Sequence, residues 1–467
     1  MKYIFYNYSD FISYNNIKFK INQLTKKELV LKNDLKHETF MNGYYNIFFY
    51  DNEYKIIYRA SKPKHHSVML HLNTMCTQWE HCTCIAESKD GIHFTKPNIG
   101  GTKPTSYKTN IILKGICSSH NFCPIITDPG RSQTDPAFFG IGGLHTRLKF
   151  HRKCHQHERD NKHDIVSSTI YHPCHCNGLY LYNSNDLINW NLVQKLPVLT
   201  GIHDGQIDNK FGWTVFDGKI SCFYSNIKHK YLIYIRSNVG SGIRSVQTAE
   251  SDDLINWSPF KLLTFNPKFN IKKDNYYHLD VIEYPDTNIF IGLAPYTDNT
   301  IQNSYICLLF SHDGLEWTHC GKIMDSPLET RSKSIEKRNS IHTTGVFINN
   351  KKDIYEIYLN ENYCGHSNRK KSEIVRYVIK KDRLIGIIPK NIGNFQIKIK
   401  LLENLLVNFK TYDNGYIKII IDDISYSLTG DYINHRVDLP PDLDKGNGLD
   451  ILDFELYKCE LYSITTL

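Results

Sequence analysis

"AESDDLINWSPF", residues 249–260, is a turn that the chain writes four times. Altered copies stand at 86–97 ("AESKDGIHFTKP"), 182–193 ("YNSNDLINWNLV") and 310–321 ("FSHDGLEWTHCG"). In each, an acid (Asp90, Asp186, Asp253, Asp313) precedes a Gly or Leu, and an aromatic (Phe94, Trp190, Trp257, Trp317) follows four residues after the acid. A short acid caps a hairpin by accepting from the backbone two residues on, and the ring then packs the outgoing strand onto its neighbour. Chance recurrence of turn residues would not keep the aromatic at one offset in all four copies. Repeats of tens of residues, each one small antiparallel sheet, are the signature of a β-propeller.

The segments between the turns read as strands. "YYNIFFYDNEYKIIYRA" (44–60), "KYLIYIRS" (230–237) and "DIYEIYLNENY" (353–363) are rich in Ile, Tyr and Phe and broken by Asp, Asn and Gly. No amphipathic helix of four turns stands out, so the fold class is all-β. A histidine recurs where a polar loop runs into an apolar strand: His37, His120, His203, His278 and His342, at intervals of 83, 83, 75 and 64 residues. Five such starts predict a five-bladed β-propeller over 1–390, with blades opening near 37, 120, 203, 278 and 342. Each Asp-turn falls between successive histidines, as the hairpin joining a blade's third and fourth strands. In the last blade "RYVIKKDRLIGI" (376–387) takes its place.

Composition sets the remaining limits. The chain has 467 residues and a net charge of +8, but its lysines are scattered among acids without a basic stripe, so nucleic acid is not an expected partner. The first twenty residues break every apolar run with Asn, Ser or Asp, and no stretch reaches membrane-spanning length, so neither a signal peptide nor membrane insertion is expected. A cytoplasmic location follows as the expectation, with the 13 cysteines mostly free thiols. No cofactor is expected.

First strands of propeller blades line the central channel, so the histidine segments should converge on the axis at one face. Acids accompany them: Glu38 beside His37, Asp204 beside His203, and Asp280 two residues after His278. Residues at even separation share a strand face, so His278 and Asp280 can both look into the channel. Carboxylates from three blades around one pocket suit cleavage of a glycosidic bond, where one protonates the leaving oxygen and another attacks carbon or activates water. The plainer alternative is that these groups satisfy buried backbone at the blade ends. Glu38 and Asp204 come from blades that are not neighbours in a five-membered ring, which favours the wide separation of an inverting pair, about 6.5 to 9.5 Å.

The region from His37 to Ile387 resembles the five-bladed propellers of the arabinanase, levansucrase and invertase superfamily, close to glycoside hydrolase family 32. The segments that carry the resemblance are "ESKDGIHFTKPNIG", "HNFCPIITDPG", "GLYLYNSNDLINW", "RSVQTAESDDLINWS", "IVRYVIKKDRLIGI" and the terminal "LYSITTL". It implies a carbohydrate substrate or ligand. The blade-three opening Phe-Asp-Ser-Gln-Asn of those relatives is replaced by His203, Asp204, Gly205, Gln206 and Ile207, which keeps the acid and the amide. Their blade-one Glu corresponds to Glu38, and their acid before an aromatic in the last blade to Glu361 of "NENYCGH". The candidate catalytic set is therefore Asp204, Glu38 and Asp280. The candidate substrate-binding set is His37, His120, Asn121, His203, Gln206, Arg236, His278, His342 and Glu361. The invertase motifs Asn-Asp-Pro-Asn, Arg-Asp-Pro and Glu-Cys-Pro are absent as such, and Glu283 of "IEYPD" falls inside a strand, so no sucrose or fructan substrate follows.

Beyond Pro389 the alternating run "FQIKIKLLENLLVNFKTYDNGYIKIIIDD" lacks Asp-turns, and the resemblance makes 391–467 a small β-sandwich packed on the propeller flank. The crowded stretch "HRKCHQHERDNKHDIVSSTIYHPCHC" (151–176) offers Cys154, His157, Cys174 and Cys176 as weak metal candidates, though the spacing matches no established finger. The alternative there is an exposed insertion in blade two. Three function classes stay open: a glycoside hydrolase, a glycan-binding propeller without chemistry, and a structural or partner-binding propeller.

Overall fold

The computed structural model describes residues 1–63, 79–99, 109–114, 121–127, 135–146, 177–200, 214–240, 243–300, 303–325, 342–348, 353–361, 373–440 and 449–467. Five sheets form the blades of a propeller, all antiparallel except for a short parallel edge strand, Thr264–Asn266, in the fourth. Blade one runs outward from Phe40–Tyr50 through Glu53–Pro63 and Trp79–Ser88 to Ile111–Lys114. Blade two takes Cys123–Ile126, Phe138–Thr146, Asn177–Ser184 and Asn191–Leu192. Blade three takes Ser221–Ser225, Lys230–Gly240, Ile243–Ser251 and Lys261–Leu262. In blade four the inner strand is split into Asp274–Tyr276 and Asp280–Glu283, followed by Phe290–Asp298, Asn303–Ser311 and Glu316–Asp325.

Blade five joins the two ends of the chain. Its inner three strands are His342–Ile348, Ile354–Glu361 and Glu373–Lys380, and its outermost strand is Thr25–Lys32, paired so that Glu373 faces Lys32 and Val378 faces Thr25. The ring is thereby closed by hydrogen bonds, leaving no open edge at its seam.

Each blade is covered on both sides, which is why its middle strands read as apolar runs rather than as alternation; all nine residues of Phe290–Asp298 are buried. Five apolar clusters correspond to the five interfaces between blades. Ile57, Ile85 and Trp190 join blades one and two; Ile141, Leu181 and Ile233 join two and three; Tyr234, Val246 and Trp317 join three and four. Leu293, Leu308 and Tyr355 join four and five, and Val30, Tyr358 and Tyr45 join five and one. Each fully buried side chain of this size stabilises by about 1.5–3 kcal/mol.

The four Asp-turns are built alike. Asp253 Oδ1 accepts from the amides of Ile255 at 2.8 Å and Asn256 at 2.7 Å, while Ser251 Oγ accepts from Leu254 N at 2.9 Å and Trp257 Nε1 donates to Leu254 O at 2.9 Å. Ser88, Ser184 and Ser311 stand in the same relation to Asp90, Asp186 and Asp313. The residue after each acid takes a left-handed conformation, with φ of 78° at Gly91, 63° at Leu187, 65° at Leu254 and 75° at Gly314. Burial pushes these carboxyls up, but the backbone amides, the side chains of His93, Asn189 and Asn256 in three of the turns, and the serine outweigh it, so all four lie below the usual carboxylate range. The turns lie at the end of the blades where first and second strands are also joined, opposite the end at which the inner strands begin.

Three expectations about organisation are corrected. Blade three's inner strand starts at Ser221, not near 203, because residues 201–213, outside the described set, precede a short pairing of Thr214–Val215 with blade two. The segment after Lys380 does not stand in for an Asp-turn hairpin, since the chain leaves the propeller there through Ile385–Ile399. Nor is the second module confined to 391–467: Lys2–Ile4 and Phe11–Ile21 are strands of it. That module is one continuous seven-stranded sheet whose long strands Asn404–Ile421 and Asp450–Thr466 break register part-way and enclose a core including Phe409, Ile417, Phe454 and Ile464. Lys2 bridges to Asp382 at 3.1 Å, Tyr6 stacks on Phe310 and Arg383 donates to Asn408 and to Tyr432 O, which fixes the module against blades four and five.

Candidate active site on the propeller axis

Inner strands touch their neighbours all round the ring, and blades one and four are not neighbours. Contact between their inner strands therefore crosses the axis. Tyr44, early in the inner strand of blade one, and Tyr277, at the split in that of blade four, bring their hydroxyls to 3.3 Å. Arg59 lies 4.3 Å from the centroid of the Tyr44 ring, and Arg236 and Arg244 lie 5.5 and 5.2 Å from that of Tyr277. Burial disfavours the charged Arg236 guanidinium, but the Asp217 carboxylate, to which it donates at 2.6 Å, outweighs this and raises it further. Arg59 and Arg236 are each the seventh residue of their blade's second strand, so the propeller repeat sets them at equivalent places in blades one and three.

A buried charged group lies between the inner strands of blades three and four. Lys219, just before the inner strand of blade three, contacts the Asp280 carboxylate of blade four, and His278 Nε2 lies 3.3 Å from Asp280 Oδ2. Lys219 and Asp280 are each 3% exposed and His278 is fully buried. Burial pulls the Lys219 ammonium down to about 7, with Cys123 opposing, and the adjoining carboxylate acts in the same opposing sense. Asn46 of blade one donates to Phe122 O at 3.3 Å, so blades one and two are tied around the same channel.

The remaining expected site residues have separate places. The Glu38 carboxylate is buried where the chain crosses from blade five to blade one. It accepts from the amides of Asp34 at 3.1 Å and Leu35 at 3.0 Å, from Lys96 at 2.7 Å and from Tyr58. His37 Nε2 meets Asn110 Oδ1 at 2.9 Å, next to the outermost strand of blade one and away from the axis. The expectation that His37 and Glu38 open onto the channel is thus not met, because the crossing over residues 33–39 must pass over the blade before the inner strand can start. Asn121 is consumed in binding Phe216 O at 2.7 Å and Gly143 N at 3.0 Å. Glu361 pairs with Lys26 at 2.7 Å and accepts from Tyr377, toward the outer strands of blade five. Glu283 holds the blade-three hairpin through Ser225 Oγ at 2.6 Å and Ile227 N at 2.9 Å, at the Asp-turn end.

His120, His203, Asp204 and Gln206 lie outside the described residues, as do the side chain of His342 and the metal candidates Cys154, His157, Cys174 and Cys176. Among the described residues no group of three or more His, Cys, Asp or Glu could hold a metal ion, and the seven described cysteines are free thiols. No described helix is long and apolar enough to cross a membrane. Tyr44, Arg59, Asp217, Lys219, Arg244 and Tyr277 were not anticipated. The available signal was the pair "IIYRA" and "IYIRS", where an arginine follows the same apolar run in two blades.

No family model matches the chain, and no curated protein matches it. Solved structures do. A glycosyl hydrolase from Bacteroides ovatus is 14% identical over 78% of this chain and 95% of that one, with a TM-score of 0.42. A glycoside hydrolase family 43 arabinoxylan arabinofuranohydrolase from Bacillus subtilis, in complex with cellotetraose, is 9% identical over 92% and 96%, with a TM-score of 0.43. An N-acetylgalactosamine deacetylase from F. plautii, in complex with blood group B trisaccharide, is 12% identical over 77% and 96%, with a TM-score of 0.44.

Proposed function

We propose that this propeller is a glycoside hydrolase whose substrate sits on the axis, at the end opposite the Asp-turns. The observation that carries the reading is the meeting of Tyr44 and Tyr277 across the ring, flanked by Arg59, Arg236 and Arg244 and by the Asp217 carboxylate. Tyrosine rings offer apolar faces for a sugar ring and hydroxyls for its polar edge, as small-ligand sites require. Hydrolysis needs two carboxyl groups, one protonating the leaving oxygen while the other activates the water that attacks the anomeric carbon. Asp204 and Asp217 are the proposed pair, both lying in the stretch that leads into blade three's inner strand. Asp280, neutralised by Lys219, is a positioning residue that holds the inner strand of blade four in register with blade three. Glu38 is assigned to folding. Relationship to family 32 belongs to the same proposal and rests on the sequence resemblance.

One observation favours the second reading, a glycan-binding propeller without chemistry: the two described axial carboxylates, Asp217 and Asp280, both have cationic partners. A panel of neutral and charged oligosaccharides separates the two. Release of reducing ends that stops in Asp204→Asn or Asp217→Asn supports hydrolysis; binding of a glycan without any turnover supports the lectin-like reading.

A further inference from the structure

We propose that Arg236 is the positioning residue of the axial site: it holds Asp217 as the carboxylate that takes the proton of the attacking water. The inference deepens the proposed function and rests on its pairing of Asp217 with Asp204. Residues 216–218 lead into blade three's inner strand, and three contacts fix their course. Phe216, 1% exposed, has a φ of 63°, a left-handed conformation that is a genuine outlier for a bulky side chain and persists only where its surroundings impose it. Its carbonyl accepts from Asn121 Nδ2 at 2.7 Å, and Asn121 Oδ1 in turn accepts from the amide of Gly143 at 3.0 Å. At Gly218 an added Cβ would come within 2.9 Å of Arg236 Cβ, so the backbone there lies directly against the stem of the arginine. Arg236 Nη2 then donates to Asp217 Oδ2 at 2.6 Å.

The exposures differ in the sense that a working acid requires. Arg236 is 6% exposed and Asp217 24%, so the cation is sunk in the protein while the acid reaches solvent. A pair that only neutralised a buried arginine would not need a strained residue in front of its acid. Of the other cations in the region, Lys219 contacts Asp280, and Arg59 and Arg244 lie over the rings of Tyr44 and Tyr277. A guanidinium keeps its proton at every working pH, and its charge favours the ionised form of an adjoining carboxyl. An acid so held is unsuited to deliver a proton to a leaving oxygen and suited to accept one. In the reaction the water oxygen bonds to the anomeric carbon as its proton passes to Asp217. The bond from that carbon to the leaving oxygen breaks, its electron pair stays on the oxygen, and Asp204 supplies the proton.

The test is the pH dependence of kcat and KM for the full chain, as the parent, Arg236→Gln, Arg236→Lys and Asp217→Asn, on a panel of nitrophenyl α- and β-glycosides of neutral pentoses and hexoses. In Arg236→Gln the acid limb of kcat/KM should move to higher pH by about one unit or more, because Asp217 takes up a proton more readily without its cation. Its kcat should fall about tenfold to a hundredfold with little change in KM. Arg236→Lys keeps the charge and should keep the acid limb, which separates the arginine's electrostatic hold from a loss of structure. Asp217→Asn should lose about 10²- to 10⁴-fold at every pH. An acid limb that stays in place in a folded Arg236→Gln protein overturns the inference, as does movement of the alkaline limb alone, since Asp217 would then be the proton donor. If Arg236→Gln does not fold, Gly218→Ala, which pushes the arginine aside, must lower kcat; full kcat there overturns it equally. Turnover untouched in Asp217→Asn sinks the inference and leaves the glycosidase standing. If no glycoside is cleaved, the glycosidase reading fails by itself, and NMR titration of labelled aspartate carboxyls in the parent and Arg236→Gln decides the remainder. An Asp217 value raised in the variant upholds the arginine's hold on the acid, and an unshifted value overturns it.

Discussion

Tyr44 and Tyr277 lie 233 residues apart in the chain and bring their hydroxyls to 3.3 Å across the propeller axis. Their rings carry the arginines, so the first prediction concerns one of them. Tyr277 is only half-buried, and Tyr277→Ala should leave the fold intact while weakening glycan binding about tenfold, the measure of about 1.4 kcal/mol in lost stacking. Tyr277→Phe should retain most of the affinity. Calorimetric titration beside a thermal melt reads both; an unchanged affinity in the alanine variant would move the site off the axis.

Glu38 is a second point of decision. Glu38 is buried with four donors on its carboxylate, so Glu38→Gln should destabilise the protein by about 1–3 kcal/mol through mismatched buried hydrogen bonds, while Lys96 keeps its contact with Asp34. Turnover per folded molecule should be unchanged. Loss of turnover at full stability would return Glu38 to the catalytic set.

For the turns, Asp313→Ala removes the acceptor for the amides of Leu315 and Glu316, both at 2.8 Å, and should cost about 1–3 kcal/mol in chemical denaturation. The turn acids also predict a pH effect. Their folded values lie below the ordinary 3.8, so the stability they contribute is complete above that pH and is lost as pH falls through the folded values. A variant carrying Asn at all four positions should lose less stability between pH 5 and 2 than the parent.

His319 should act at milder acidity. It is held between Tyr276, 2.7 Å away, and Tyr305, and burial pulls it from 6.5 to about 4. The unfolded chain therefore binds the extra proton first, and stability falls as pH drops from 6.5 toward 4, by up to about 3 kcal/mol. His319→Gln should flatten that part of the stability profile; an unaltered profile would show that His319 titrates normally.

The fold was legible because its repeat is local. Asp253, the residue after it and Trp257 form one hydrogen-bonded unit, so their offsets survive in the sequence wherever the turn is used. The serine two residues before each acid escaped notice, since Ser88, Ser184, Ser251 and Ser311 look like ordinary turn residues until their hydroxyls are seen to accept from the backbone. Closure through Thr25–Lys32 was not legible, because pairing with Glu373–Lys380 is a contact between chain ends and leaves no periodic trace. Of the candidate site residues, Asp280 opens the second piece of blade four's inner strand and His278 lies in the split before it, but Glu38 shares their pattern and occupies the seam between blades five and one instead. Adjacency of acid and histidine marks a strand start, whereas the partners that decide the role, Lys219 for Asp280 and Lys96 for Glu38, come from other segments.

The most direct test of the account is a crystal structure of the protein with an oligosaccharide that it binds or cleaves. The account predicts a sugar ring on the propeller axis, in contact with Tyr44 and Tyr277, with its polar edge toward Arg59, Arg236 and Arg244 and with a carboxyl of Asp204 or Asp217 at the glycosidic bond. A ligand seated on the outer rim of the blades or on the seven-stranded module, with the axis unchanged, would contradict it.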